Sequence, residues 1–217
     1  GGHLSSLVAL TANKEQTLNA LVGAAFGAAG QRCMALSVAI MVGETKHWVN
    51  ELIEKTKTLK VNAGHEPDAD LGPVISLRAK QRVLDLIQSG VDEGAELLLD
   101  GRNVEVVGYE QGNFVGPTVF NQVTTKMRIY NEEVFGPVLA IIHVDTLEQA
   151  IALINANPFG NGVGLFTQSG AIARQFQDVI DIGQVGINIP IPVPTPFFSF
   201  TGSRGSGLGD LCPYGKQ

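Results

Sequence analysis

Phe26-Gly27-Ala28-Ala29-Gly30-Gln31-Arg32-Cys33 is the stretch around which the rest of this chain is read. A helix-like run from Asn13 to about Ala29 leads into it, with Leu18, Leu21, Val22, Ala25, Phe26 and Ala29 at helical spacing. Asn13 reads as the cap of that helix, and Gln16 three positions on completes a capping box. The helix delivers the chain to Gly30 and then to a cysteine with an arginine beside it. A neighbouring cation and close backbone N–H groups both favour the thiolate, which is the nucleophilic form. A free cysteine is more often a small buried hydrophobe. Gly30, Gln31 and Arg32 give Cys33 a polar, open setting instead of a core.

Working outward, Leu36 to Val42 reads as a strand buried on both faces. Lys46 to Leu59 is an amphipathic helix whose stripe includes Trp48, a core residue on that spacing. Asn62 to Pro73 is an acidic loop bounded by Gly and Pro. Leu77 to about Glu93 is a helix, Ala95 to Leu99 a strand, and Val104 to Val107 a short returning strand. The second informative stretch is Asn131-Glu132-Glu133-Val134-Phe135-Gly136-Pro137-Val138, in which two carboxylates precede an aromatic residue and a Gly-Pro turn. Val138 to Val144 is a strand, and Asp145 with Glu148 reads as a second capping box before a helix. Val163 to Phe166 and Gln184 to Ile189 are strands, with a helix from Ala171 to Val179 between them. This alternation predicts an α/β fold, a largely parallel sheet flanked by helices. Segment 1–12 reads as irregular or strand-like, 13–200 as the domain, and 201–217 as a Gly-rich tail in which Gly202 to Gly207 form a turn.

Composition narrows the function classes. A net charge of -6 argues against a nucleic-acid partner. No apolar run approaches the roughly 18 residues of a membrane span. Cys33 and Cys212 are too few and too far apart for a disulfide framework, which favours a reducing compartment. His3, His47, His65 and His143 are dispersed without the spacing of a metal site, so no metal is expected. No Gly-x-Gly-x-x-Gly follows a strand, so a dinucleotide fingerprint is missing from these residues. The chain opens on Gly1 without a targeting pattern, which reads as a cut boundary.

The aromatic residue, the Gly30-Gln31 pair and Cys33 resemble the cysteine motif of the aldehyde dehydrogenase superfamily. Gly30-Gln31-Arg32-Cys33-Met34-Ala35 resembles its coenzyme-A-acylating branch, and the likeness runs from about Asn13 to about Arg204. The resemblance implies the catalytic domain of such an enzyme, with the N-terminal dinucleotide-binding domain absent from this chain. It implies Cys33 as the nucleophile toward an aldehyde and NAD as the hydride acceptor. It also implies coenzyme A as the acyl acceptor, so that malonate semialdehyde and its methyl homologue give acetyl-CoA and propionyl-CoA with loss of carbon dioxide. Arg32 is then a fork for the substrate carboxylate, against the plainer reading of a structural arginine. Glu133 is implied to hold the nicotinamide-side ribose, Phe135 to pack near the nicotinamide, and Phe200 to line the aldehyde path. The likeness further implies a homo-oligomeric parent, in the mitochondrial matrix if eukaryotic and in the cytoplasm if bacterial. A hydrolytic aldehyde dehydrogenase and a non-catalytic fragment that keeps the fold are the competing readings.

Alkylation of the two cysteines as a function of pH tests the nucleophile. Cys33 is expected to outpace Cys212 at neutral pH, whereas equal, slow rates would make Cys33 an inert packing residue.

Overall fold

The computed structural model describes residues 5–207. At its centre lies β2 (Val38–Val42), buried at every position. It runs parallel to β1 (Ser5–Ala9) on one side and to β5 (Val138–Val144) on the other. The sheet is completed by β3 (Glu96–Leu99), β4 (Thr118–Asn121), β7 (Gly162–Phe166) and β8 (Gln184–Ile187). Its order is β3-β4-β5-β2-β1-β7-β8, and only β3 against β4 is antiparallel. This is the α/β architecture that the alternation of elements predicts.

Period-two alternation explains why the central strands read as continuous apolar runs. Val38, Ile40 and Val42 join Phe120, Ala140 and Ile142 on one face of the sheet, where α3 (Leu77–Asp92), α5 (Leu147–Ala156) and α6 (Gly170–Val179) cover them. Ala39 and Met41 join Val119, Leu139 and Ile141 on the other, under α1 (Lys14–Phe26) and α2 (Val49–Lys57). Asn13 caps α1 as expected, accepting from the Gln16 amide at 3.0 Å.

Several expectations need correction. The first helix stops at Phe26 rather than Ala29, because Ala28 and Ala29 take left-handed backbone angles (φ 52° and 55°). The cap of α5 is Thr146 and not Asp145: Thr146 accepts from the Gln149 amide, and Gln149 Oε1 reaches back to the Asp145 amide at 2.8 Å. Half of a capping box is there, one residue later than read: Thr146 takes the Gln149 amide, while the Gln149 side chain takes the amide of the residue before the cap. Val104–Val107 forms no strand; Val106 instead packs with Ala63 and Phe114 in a small cluster under the loop. Trp48 ends a 3-10 turn (Gly43–Trp48) before α2 begins and packs half-buried against the second core cluster. The short helix α4 (Arg128–Asn131) was not read from the sequence at all.

Segment 1–12 contributes β1, in keeping with its strand-like reading, and this strand sits inside the sheet between β2 and β7. In the Gly-rich segment, β9 (Ser203–Arg204) pairs with β6 (Phe159–Gly160). Arg204 Nη2 donates to the carbonyls of Phe159 at 2.8 Å and Ile154 at 3.2 Å, so 201–207 is tied back to the domain.

Phe120 is fully buried at the centre of the first cluster. Phe120→Ala is expected to cost about 4 kcal/mol of stability, read as a lower urea midpoint at an unchanged slope.

Candidate active site

The residues singled out by sequence gather along one edge of the sheet. Cys33 lies in the loop that enters β2, Glu133 and Phe135 in the loop that enters β5, and Asn161 immediately before β7. The order β5-β2-β1-β7 places those entry loops side by side at the starts of parallel strands. Open α/β sheets commonly bind ligands at the opposite, carboxyl edge. His143 sits toward that carboxyl edge, near the end of β5, with Nε2 2.6 Å from Asn121 Oδ1. Burial and the nearby Lys46 push its pKa below the ordinary imidazole value. It is placed at the opposite end of the sheet from Cys33.

Two backbone turns press together to make the site. Ala28, Ala29 and Gly30 are left-handed in succession, and Gly30 has φ +68°. A Cβ on Gly30 would collide with the Gly136 carbonyl oxygen, so only glycine permits this approach. The opposing turn is strained as well, since Phe135 has φ 53°. Gln31 stitches the turns together: its Oε1 accepts from the Ile75 amide at 2.9 Å and its Nε2 donates to the Phe135 carbonyl at 3.4 Å. Arg82 holds the same loop from α3, with Nη1 donating to the Val134 carbonyl at 3.0 Å.

Arg32 turns back toward α1. Its Nη2 donates to the Gly23 and Ala24 carbonyls at 2.8 and 2.9 Å, where a cation meets the negative end of the helix dipole. Gly27 leaves room for this, because a Cβ there would lie 2.8 Å from Nη2. The Arg32 Nε is buried without a hydrogen-bond partner. Burial draws the guanidinium pKa below its ordinary value, and the charge of Cys33 opposes that shift. The arginine and the cysteine are therefore coupled electrostatically, while the structure shows the guanidinium also serving as a helix cap.

Cys33 itself is exposed. Its backbone is held from two sides. Asn161, only 6% exposed, donates from Nδ2 to the Cys33 carbonyl at 2.6 Å. Met34 is buried directly after it and packs against Gly162, where any added Cβ would meet its methyl group. The Ala35 and Leu36 amides are spent on the Arg32 and Ala24 carbonyls, whereas the Cys33 and Met34 N–H groups make no hydrogen bond among the described residues.

Beside this loop is a cavity of about 370 Å³, lined by Gln31, Ile75, Ala79, Arg82, Glu133 and Phe135 among others. The acidic pair divides its duties. Glu132 is bound by Arg128, Nε to Oε1 at 2.7 Å, whereas the Glu133 carboxylate has no hydrogen bond or ion pair among the described residues. Phe135 keeps 41% of its surface exposed at the same cavity. Phe200 does not line it; it is half-buried between Ser199 and Thr201, whose carbonyls both accept from Gln184 Nε2. Asn188 is a turn residue, exchanging hydrogen bonds of 3.0 Å with the Thr167 backbone. Asn161, Arg82 and Ile75 escaped the sequence reading, because each acts on a partner far along the chain and no local motif marks it. Cys212 lies outside the described residues. No group of three or more His, Cys, Asp or Glu side chains able to hold a metal occurs among the described residues.

The fold and this cysteine edge define a class that comparison identifies. The model of the aldehyde dehydrogenase family matches residues 1–214, and the chain belongs to that family. Within it, the bovine (Bos taurus) mitochondrial methylmalonate-semialdehyde/malonate-semialdehyde dehydrogenase [acylating] is 62% identical over 206 residues, covering 95% of this chain and 38% of its own length. A Sinorhizobium meliloti 1021 protein, assigned as a methylmalonate-semialdehyde dehydrogenase and complexed with NAD, superposes with a TM-score of 0.95 at 42% identity, covering 99% of this chain and 44% of that one. The methylmalonate-semialdehyde dehydrogenase of Oceanimonas doudoroffii gives 0.95 at 43% identity, covering 99% and 45%. The chain thus spans about two-fifths of the length of these relatives.

Gly30→Ala adds a left-handed penalty to a backbone collision and is expected to cost about 3 kcal/mol. Gln31→Ala removes both amide bridges and is expected to slow Cys33 alkylation or acylation several-fold with a stability loss of only about 1 kcal/mol. Paired thermal melts and thiol-reaction rates separate the two effects.

Proposed function

We propose that the chain is the catalytic portion of a coenzyme-A-acylating aldehyde dehydrogenase acting on malonate semialdehyde and methylmalonate semialdehyde. One observation carries the reading: an exposed Cys33 on a loop fixed by Gln31, Asn161 and Met34, with Arg32 electrostatically coupled to it. The names of the relatives support the substrate class and the acylating outcome.

Cys33 adds as the thiolate to the aldehyde carbon, and the sulfur–carbon bond leaves an oxyanion. The Cys33 and Met34 amides are the backbone donors for that oxygen. NAD, held by Glu133 and Phe135, would supply the hydride acceptor that converts the Cys33 adduct into an acyl thioester. The thiol of coenzyme A then displaces Cys33, so the acyl group leaves as a new thioester and the cysteine is restored. The substrate's free carboxyl group departs as carbon dioxide and the α-carbon takes up a proton in its place, giving acetyl-CoA or propionyl-CoA. Arg32 attracts that carboxyl group before its loss, acting from its position over the end of α1.

The cavity beside Cys33 fits a nicotinamide riboside end. Glu133 offers an uncommitted acceptor for a ribose diol, and Phe135 offers an exposed ring for packing. Phe200 is assigned to the wall of the aldehyde path on resemblance. The whole protein is read as a homo-oligomer, and the mitochondrial names of its animal relatives support a matrix location in a eukaryote. No described helix is long and apolar enough to cross a membrane.

The acyl-transfer half can be tested without the redox half. Propionyl-CoA is expected to add one propionyl group to the chain by intact mass, with release of free coenzyme A, and Cys33→Ala is expected to abolish the adduct. In the redox direction, NADH formation from malonate semialdehyde is expected to need coenzyme A. A free acid in place of the thioester would make the enzyme hydrolytic. Arg32→Gln is expected to raise KM about tenfold for the semialdehyde acid and far less for propanal, as loss of one charged contact predicts.

A further inference from the structure

The Ala35 amide donates to the Arg32 carbonyl at 3.0 Å, so Arg32-Cys33-Met34-Ala35 closes a β-turn with Cys33 and Met34 at its centre. In a trans peptide the carbonyl points opposite to the N–H of the following residue. The turn's own hydrogen bond holds the Arg32 carbonyl, and with it the direction of the Cys33 N–H. The Cys33 carbonyl takes no part in that bond. Its direction, and therefore that of the Met34 N–H, is set by Asn161, whose Nδ2 donates to it at 2.6 Å.

The central peptide of a β-turn is the one that can flip. Types I and II share the end-to-end hydrogen bond and differ in the orientation of this group, and type II requires a positive φ at the third residue. Met34 holds the third position here and is not left-handed. Two contacts from the entrance of β7 keep it so. Asn161 takes the Cys33 carbonyl, and the buried Met34 side chain lies against Gly162, where an added Cβ would come within 2.2 Å of the Met34 methyl. Asn161 is itself well fixed: it is 6% exposed, and its carbonyl accepts from the Gln184 amide of β8 at 3.1 Å. What it holds of the nucleophile is the backbone, across 128 residues of sequence.

We propose that Asn161 is a positioning residue for acyl transfer: it locks the Cys33–Met34 peptide in one orientation and so fixes the Met34 N–H as a donor to the oxyanion formed on Cys33. The assignment rests on the reading of Cys33 as the nucleophile given above. Preorganised donors stabilise an oxyanion because they need not turn toward it as charge develops. Without the Nδ2 donor the carbonyl regains a partner only by rotating, and that rotation turns the Met34 N–H off the adduct. Attack of the same thiolate on an alkyl halide develops no oxyanion. The two reactions of one sulfur therefore separate the orientation of the peptide from the exposure and ionisation of the thiol.

Two reagents test this on the 217-residue chain, with adducts at Cys33 counted by peptide mass. The activated ester p-nitrophenyl propionate acylates the thiolate through a tetrahedral oxyanion, which collapses to the thioester and expels p-nitrophenolate. Iodoacetamide alkylates the thiolate in one step and loses iodide. Asn161→Asp, which keeps the shape but lacks the N–H donor, and Asn161→Ala are each expected to slow acylation at least about tenfold. Alkylation is expected to stay within about twofold of the parent chain when both are read at the alkaline plateau, where the thiol is fully ionised. Equal losses in the two reactions, or unchanged acylation in a variant with an intact thermal melt, would overturn the proposal. A measurement on the unaltered chain stands apart from the folding of the variants. The chain has three methionines, so isotope labelling of methionine nitrogen gives three amide signals. Propionylation of Cys33 is expected to move the Met34 signal downfield, and an unmoved Met34 signal overturns the proposal. The ester needs no coenzyme A, so acylation by the ester but not by propionyl-CoA removes the acylating reading and leaves the role of Asn161 standing. A chain that is alkylated at Cys33 but never acylated by the ester has no oxyanion to position, and overturns the proposal as well.

Discussion

The backbone contact between Gly30 and Gly136 is the constraint on which the site depends. Each glycine lies in a loop that feeds a central strand, and β2 and β5 are paired neighbours. Sheet register therefore brings the loops to the same height, and the missing Cβ at Gly30 lets them touch. Everything that follows uses this contact. Gln31 reaches Phe135 because the backbones are already close, and Glu133 and Phe135 face the cysteine loop because their turn has nowhere else to go.

The cost of this arrangement is local strain. Ala28, Ala29 and Phe135 all hold left-handed backbone angles without being glycine, each worth roughly 1–3 kcal/mol. The sheet offsets that cost with two apolar layers, one on each face, whose central residues are almost fully buried. Strain held at the strand entrances and compensated by the core is what keeps an exposed thiol in a defined place. Asn161 and Met34 complete the hold, one through the Cys33 carbonyl and the other by plugging against β7.

Arg32 takes the structural side of its two sequence readings: it closes the carbonyl end of α1 through the Gly23 and Ala24 carbonyls. That contact fixes a cation one residue before the exposed Cys33, whose charge opposes the effect of burial on the guanidinium. Glu132 and Glu133 differ in the same way: one carboxylate is neutralised by Arg128 and anchors its loop, and the other stays uncommitted at the cavity.

The sequence alone determined the α/β class and most strands and helices, and it singled out Cys33 and the acidic-aromatic stretch opposite it. These are local signals: hydrophobic period, caps, and residue types adjacent in the chain. It placed the end of α1 three residues too late because small residues fit a helix by composition, while Ala28 and Ala29 take left-handed angles just before Gly30 meets Gly136. It read the cap of α5 one residue early, since Asp and Thr are both good caps and only the amide geometry chooses between them. Only the tertiary structure decided that Arg32 turns toward α1, that Glu133 and not Glu132 stays uncommitted, and that Asn161, Arg82 and Ile75 belong to the site. Those assignments depend on strand order and register, which bring together groups as much as 128 residues apart. No local pattern encodes such distances, because the contacts exist only once the parallel sheet has aligned its entry loops.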